Sequence, residues 1–335
     1  PVGKLRMAME RWLPASPVLA EAQSVESFFL RRFGRELVER VVGPLLGTIY
    51  HTPINRLSMQ AILPTLLAYE QDFGSVTKGI RNAARRTSRE GHPRVFRTLR
   101  DGMAMLTDRL AAALSPHVKY NSPVERIAQA AQGRLHLKLG AQGNLSADAV
   151  ILTTPSHTTA RLVEHLDPEL ARLLGGITYS SQCAFSFAWK RHQVPHPMQG
   201  TGFIVATKES RTVRSCTWSS AKWPGRAPGD DVLIRCFLDA DDAAPDVELQ
   251  VHALEDLREL MGIEAPPYFC QARRRAPLLP CYEVGHLSTV RAIMQRLTAL
   301  DRLYLAGNTF QGVNLAACIQ SGREAAFAAM NDLEC

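Results

Sequence analysis

The chain has 335 residues, 46% of them apolar and 21% charged, a globular balance that excludes a disordered or fibrous protein and suggests about two folding units. It carries a net charge of +7 through 32 Arg and only 7 Lys, a surface that suits an anionic ligand, an anionic membrane face or nucleic acid, although most of these arginines are read as simply solvated. No stretch of about 18 uncharged apolar residues exists to span a bilayer.

The opening PVGKLRMAMERWLPASP is not a signal peptide, because Lys4, Arg6, Glu10 and Arg11 interrupt its apolar residues. It has no initiator Met, so a stretch before Pro1 is expected to be missing. Residues 20–115 read as helical. Ser24 stands where an N-cap belongs, and Gly34, Gly43 and Pro44 divide the apolar-periodic run from Ser27 to Gly47 into short pieces. The basic run from Lys78 to Arg94 places Arg81, Arg85, Arg86 and Arg89 within reach of one helical face, read as a solvated face or a mobile loop. From residue 116 to 155 the period changes. HVKYNSPVERIAQ and RLHLKLG alternate as hairpin strands, and Ala149–Leu152 reads as a buried strand. Further strands follow between residues 178 and 240, then a helix from Asp246, a strand at RLYLAGN and a long terminal helix. Helices and strands in this order predict an α/β or α+β fold of interleaved units.

Seven Cys without a C-x-x-C pair give neither a disulfide framework nor a zinc site and suggest a reducing compartment. His192 and His196 are four apart, but Pro195 and Pro197 forbid the helix that would align them on a metal; no metal is expected. His157 is read as a loop residue, Cys318 as small apolar filler, and Tyr282 and Trp189 as pocket lining or plain core. Arg273–Arg275 suit a carboxylate or a solvated strand end. No helix-turn-helix, RNP or zinc pattern supports nucleic-acid binding.

Residues 301–326 carry the most information. A short strand turns out through Ala306, Gly307 and Asn308, and Gly312 brings the backbone to the start of the last helix, where free N–H groups favour an anion or a polarised ring edge. This string resembles the C-terminal flavin-contacting segment of the protoporphyrinogen/coproporphyrinogen oxidase family, LAGN-x-x-x-GV-x-x-x-x-CI-x-SG-x-x-A-A, matched from Leu305 to Ala326. SVESFFLRRFGRELVERVVGPLLGTIYHTPINRLS resembles the family's helical insert, YNSPVERI its adenine-side strand, and ARRRAPLLPCYEVGH its A-x-P-x-Y-x-x-GH stretch, with the Pro shifted or substituted.

The resemblance implies a split FAD-binding domain of the amine-oxidase type in two parts (residues 99–160 and 286–335), a mixed-sheet substrate domain (161–285) and a helical insert facing substrate or membrane (20–98). It implies that FAD is touched by Val124, Gly307, Asn308, Gly312 and Val313, and a tetrapyrrole by Thr201, Gly202 and Ile204. The implied reaction is the dioxygen-using oxidation of coproporphyrinogen III or protoporphyrinogen IX to the porphyrin in heme biosynthesis. A hydride leaves a ring carbon for the flavin, dioxygen reoxidises the flavin to give hydrogen peroxide, and the cycle repeats. No catalytic side chain is required, because the cofactor supplies the chemistry. A cytoplasmic location, with peripheral membrane contact through residues 28–50, is expected.

The sequence departs from the family in lacking any G-x-G-x-x-G after a strand, so the fold is expected to be N-terminally incomplete and to bind FAD weakly or not at all. Asp101, Ala206, Phe237–Ala240 and Cys281 are smaller departures. The alternatives are a related flavin amine oxidase or desaturase, and a non-catalytic porphyrin-binding or scaffold remnant. Oligomeric state is not readable.

Overall fold

The computed structural model describes residues 2–14, 23–89, 97–130, 133–140, 143–238 and 244–334, without the side chains of 2–5, 87–89 and 275–278. Asp239 and Ala240, and the end of the basic run from residue 90, lie outside the described residues.

The first layer is helical: α1 (Val2–Met9), α2 (Val25–Phe33), α3 (Arg35–Leu37), α4 (Gly43–Tyr50), α5 (Met59–Ile62), α6 (Pro64–Phe73) and α7 (Val76–Arg89). Ser24 does cap α2, its Oγ accepting from the Ser27 N–H at 3.2 Å. Gly34 ends α2 at φ +85°, donating to the carbonyls of Phe29 and Leu30. Gly43 and Pro44 open a new piece without a gap in the helical path. A π-helical turn at Val38–Val42 leads straight into α4, and in the first turn of a new helix the N–H that Pro44 lacks has no partner to lose. The basic run is the well-formed α7 as far as Arg89, not a loop. Phe28, Phe29, Phe33, Leu57 and Met59 form this layer's core.

Behind this core lies a buried ion network. Arg32 and Glu10 are both fully buried, with Arg32 Nη2 at 2.9 Å from Glu10 Oε1 and Arg32 Nε at 3.5 Å from Glu70. The Arg32 guanidinium also donates to the carbonyls of Leu13, Pro14 and Gly74. Glu10 in turn accepts from the N–H of Val76 and Thr77 and from the hydroxyls of Ser75 and Thr77, closing the first turn of α7.

The second unit follows α8 (Ala104–Leu114). A three-stranded antiparallel meander, β1 (Arg126–Gln129), β2 (Leu135–Lys138) and β3 (Asn144–Ala147), leads to β4 (Val150–Leu152), α9 (Ser156–Val163) and α10 (Pro168–Gly175). The third unit is a five-stranded antiparallel sheet: β5 (Tyr179–Trp189), β6 (Gly202–Ile204), β7 (Val213–Trp218), β8 (Val232–Leu238) and β9 (Phe269–Pro280), in spatial order β6-β7-β8-β5-β9. Between β7 and β8 runs the short α11 (Ser219–Lys222), and between β8 and β9 the long α12 (Asp246–Met261). The chain then returns to the second unit with α13 (His286–Leu297), β10 (Leu303–Leu305) and α14 (Leu315–Glu334). β10 pairs in parallel with β4, Leu303 opposite Val150 and Leu305 opposite Leu152.

Each unit has its own core. Ile127, Leu152, Val163, Leu170, Leu174, Ile293 and Leu303 pack together in the second. Residues 162–177 therefore pack with the interleaved unit, and the expected boundary at 160/161 falls inside α9. α12 covers one face of the five-stranded sheet, burying Phe185, Phe187, Trp189, Ile234 and Cys236 completely. Each such large side chain contributes about 1.5–3 kcal/mol. Trp189 is thus core, its indole N–H donating to the Ala265 carbonyl at 2.8 Å.

Candidate active site

The loop between β10 and α14 combines two glycines that only a side-chain-free residue accommodates easily. Gly307 has φ +123° and Gly312 φ +132°. A Cβ on Gly307 would meet nothing closer than the Thr153 carbonyl at 3.9 Å, so this turn faces open space; at Gly312 a Cβ would press on Ala317 at 3.1 Å. Gly307 N–H is tied to Ser321 Oγ of α14 at 3.1 Å, and Asn314 Oδ1 caps α14 by accepting from Ala317 N–H at 2.9 Å.

An aromatic cluster holds the loop from behind. Tyr282 Oη donates to the Asn308 carbonyl at 2.6 Å, and His286 Nε2 donates to the Thr309 carbonyl at 2.9 Å. Tyr179 Oη lies 2.8 Å from Thr309 Oγ1 and accepts from Ser156 N–H. The Tyr282 and His286 rings stack at 4.3 Å, and His157, in the first turn of α9 rather than in a loop, meets Tyr179 edge-on at 5.1 Å. Burial pushes the Tyr282 hydroxyl far above its ordinary range and the His286 imidazole below its own, so both are neutral donors. Tyr179 and Thr309 were not singled out from sequence, whereas Tyr282 and His286 stand in the A-x-P-x-Y-x-x-GH stretch.

Val124, Gly307, Asn308, Gly312 and Val313 all belong to this second unit, Val124 half-buried against its core just ahead of β1. Thr201, Gly202 and Ile204 belong to β6 and its entry. Gly202 has a structural cause that sequence reasoning missed. With φ +145°, a Cβ there would fall 2.0 Å from the Cys216 carbonyl of β7, so the neighbouring strand alone demands glycine. Thr201 offers its carbonyl to Trp218 N–H at 3.0 Å. Ile204 is 42% exposed.

A cavity of 490 Å³ opens where the end of this sheet meets α4, lined by Gly43, Gly47 and His51 on one side and by Gln182, Arg214 and Phe237 on the other. His51 ends α4 in a left-handed conformation at φ +48°, with Nε2 at 2.7 Å from Gln182 Nε2. Cys318 lies with Sγ at 3.9 Å from the Gly312 carbonyl. His196 is occupied by Met198 N–H, and no group of three or more metal-ligating side chains is gathered among the described residues.

Comparison with known proteins agrees with this geometry over almost the whole chain. The model of the flavin containing amine oxidoreductases matches residues 2–330. The chain belongs to that family. It is 29% identical to coproporphyrinogen III oxidase of Bacillus subtilis (strain 168), covering 96% of this chain and 70% of that protein. It is 28% identical to protoporphyrinogen oxidase of Homo sapiens, over 91% and 68%. The crystal structure named for a protoporphyrinogen oxidase from Exiguobacterium sp. 255-15 superposes with a TM-score of 0.82 at 28% identity, over 100% of this chain and 72% of that one. Cyclohexylamine oxidase from Brevibacterium oxydans, at 16% identity and a TM-score of 0.67, shares the fold.

The flavin containing amine oxidoreductases carry FAD, and the residues of this chain fit one side of it. The turn at Gly307 is open, and Tyr282 and His286 hold the carbonyls of Asn308 and Thr309 that follow it. No G-x-G-x-x-G, the fingerprint that binds a dinucleotide's pyrophosphate, occurs in the sequence. Leu110 and Leu114 of α8, Ile151 of β4, and Leu315, Ile319 and Phe327 of α14 are exposed. Parallel strands are normally covered on both faces, yet the pair β4–β10 stands as a two-stranded sheet with Ile151 outward.

Proposed function

We propose that this chain is the substrate-binding and flavin-ring part of an oxygen-dependent porphyrinogen oxidase of heme biosynthesis, converting coproporphyrinogen III or protoporphyrinogen IX to the porphyrin. The carrying observation is the continuity of its likeness to coproporphyrinogen III oxidases, which runs through the helical layer, the sheet and the glycine loop alike. When bound, FAD supplies a two-electron acceptor that dioxygen regenerates. Gly307, Asn308, Gly312 and Val313 would hold the ring side, and Val124 the adenine side. Tyr282 and His286 position the loop without exchanging protons, since both stay neutral. Thr201, Gly202 and Ile204 line the approach from the sheet.

The two-stranded sheet of β4 and β10 with Ile151 exposed, and the exposed Leu315, Ile319 and Phe327 of α14, support the reading that a nucleotide-binding strand–turn–helix unit completes the cofactor site. The test is a visible spectrum of this chain alone and with such a unit supplied. Flavin absorbance and porphyrin formation with peroxide release only in the second sample is the expected result; a stoichiometric flavin band with the chain alone refutes the dependence. Porphyrinogens left unoxidised by a flavin-loaded complex that turns over amines would favour an amine oxidase instead.

For location, no helix among the described residues is long and apolar enough to cross a membrane. Val41, Leu45 and Ile49 are exposed along the π-helical turn and α4, which supports a cytoplasmic protein touching the membrane peripherally. Co-sedimentation with vesicles, abolished by Val41→Ser and Ile49→Ser, tests this.

A further inference from the structure

The connection from β7 to β8, residues 219–231, leaves the five-stranded sheet and reaches the chain just ahead of α8. Both of its ends are pinned. Ser220 Oγ accepts from the Leu233 N–H at 3.0 Å, and Asp231 accepts from Lys190 Nζ at 2.9 Å and from Tyr268 Oη at 2.7 Å. Pro224 and Pro228 stiffen the stretch between them. Arg226 is carried at the tip.

The Arg226 guanidinium binds three uncharged oxygens, so the contact follows the path of the chain and not its charge. Nη2 donates to the Leu99 carbonyl at 2.8 Å and to Thr98 Oγ1 at 3.0 Å, and Nη1 donates to the Arg100 carbonyl at 3.2 Å. Gly102 follows at φ +105°, and a Cβ there would lie 3.4 Å from Arg226 Nη1. The Gly102 N–H closes this turn on the Leu99 carbonyl at 3.3 Å, and the Gly102 carbonyl accepts from the Met105 N–H at 3.3 Å as α8 begins. Arg226 thus lies against the turn from which α8 springs.

α8 has little else to fix it. None of its 11 residues is buried, and its N-cap, Met103, brings no capping side chain. A helix of this length is marginal in water unless a packed face supports it. Its place and order therefore depend on the turn that Arg226 holds.

We propose that Arg226 is a positioning residue that ties the five-stranded sheet to the cofactor side: it fixes the turn from Thr98 to Gly102 and holds α8, with its exposed Leu110 and Leu114, in place for the nucleotide-binding unit that completes the site. This rests on the proposed function and names a residue on which that site depends. A planar guanidinium presents several N–H groups in a fixed fork, a geometry that neither an amide nor an ammonium reproduces.

Two measurements test this. In the chain alone, Arg226→Gln should raise amide exchange across residues 98–106 at least about tenfold and leave β5 unchanged, with Arg226→Lys recovering only part of the protection. With a synthetic unit of strand, G-x-G-x-x-G turn and helix supplied, quenching of FAD fluorescence should show Arg226→Gln binding FAD roughly tenfold more weakly than wild type. The pinned loop ends are untouched, so folding is expected to survive; circular dichroism verifies it, and Arg258→Gln on α12 serves as a control that leaves both readouts intact. Exchange at residues 98–106 that is free in wild type, or alike in wild type and Arg226→Gln, overturns the positioning role. Equal FAD binding by wild type and Arg226→Gln overturns the part played in receiving the unit while leaving the proposed function standing. Wild type that binds no FAD with the unit supplied overturns the reading of a completed site, and this role with it.

Discussion

Replacing Arg32 by Met tests the buried ion network most directly. Arg32 is fully buried, and its loss would strip Glu10 of its one guanidinium contact at 2.9 Å and leave the carbonyls of Leu13, Pro14 and Gly74 without this donor. Glu70 retains Arg31, bound through both oxygens at 2.6 and 3.0 Å, so the uncompensated charge falls on Glu10. Breaking one side of a buried pair costs about 3–5 kcal/mol, against a total stability of about 5–15 kcal/mol. Arg32→Met should therefore lose roughly a fifth or more of the stability measured by urea denaturation. The double variant Glu10→Gln/Arg32→Met should recover at least about 1 kcal/mol of that loss, because it removes the orphaned charge.

The pH dependence follows from Glu10 itself. Burial pushes its carboxyl up, but the hydroxyls of Thr77 and Ser75 and the N–H groups of Val76 and Thr77 outweigh burial and hold it below the usual carboxylate range. A depressed folded pKa stabilises the protein above the unfolded carboxylate range, and that contribution disappears as pH falls through the folded value. Wild type should lose stability on acidification, and Glu10→Gln should lose less over the same interval. A double variant no more stable than Arg32→Met would refute the coupling.

Three further outcomes are expected. Gly202→Ala should cost about 1–3 kcal/mol by thermal denaturation, since a Cβ at φ +145° lies 2.0 Å from the Cys216 carbonyl. Tyr282→Phe should cost about 1 kcal/mol and raise amide exchange across residues 307–313, because the 2.6 Å bond to the Asn308 carbonyl is lost; unchanged exchange would remove Tyr282 from its positioning role. Asp167 caps α10, and the hydrogen bond from Arg296 chiefly holds its carboxyl low, against burial. Asp167→Ala should cost about 1–2 kcal/mol at neutral pH and a smaller amount as pH falls through the folded carboxylate value, checked by denaturation at several pH values.

Local rules already located much of the fold. The Ser24 cap, the break at Gly34, the hairpin strands at residues 126–129 and 135–138 and the strand–glycine turn–helix from Leu303 each depend on a few neighbouring residues, and each stands where the sequence put it. Pro44 stands in the first turn of α4, and the π-helical turn that leads into it was not legible in the sequence. Gly202 was legible as a special glycine, but its partner was not: Cys216 reaches it only through the β6–β7 register. Of the adjacent arginines in RRFG, Arg32 is sealed in the interior and Arg31 reaches the surface, a difference made by Glu10 and Glu70, far away in the chain.

The order of elements, their caps and the glycine-bearing flavin loop were set by the amino-acid sequence alone, since backbone conformation at a turn or helix end is decided by steric and hydrogen-bonding preferences within one or two turns of chain. The tertiary structure alone decided which charges are buried and which glycines answer to a neighbouring strand. Those outcomes depend on strand register and on desolvation by residues up to a hundred or more positions away, and a one-residue change of register would reverse them.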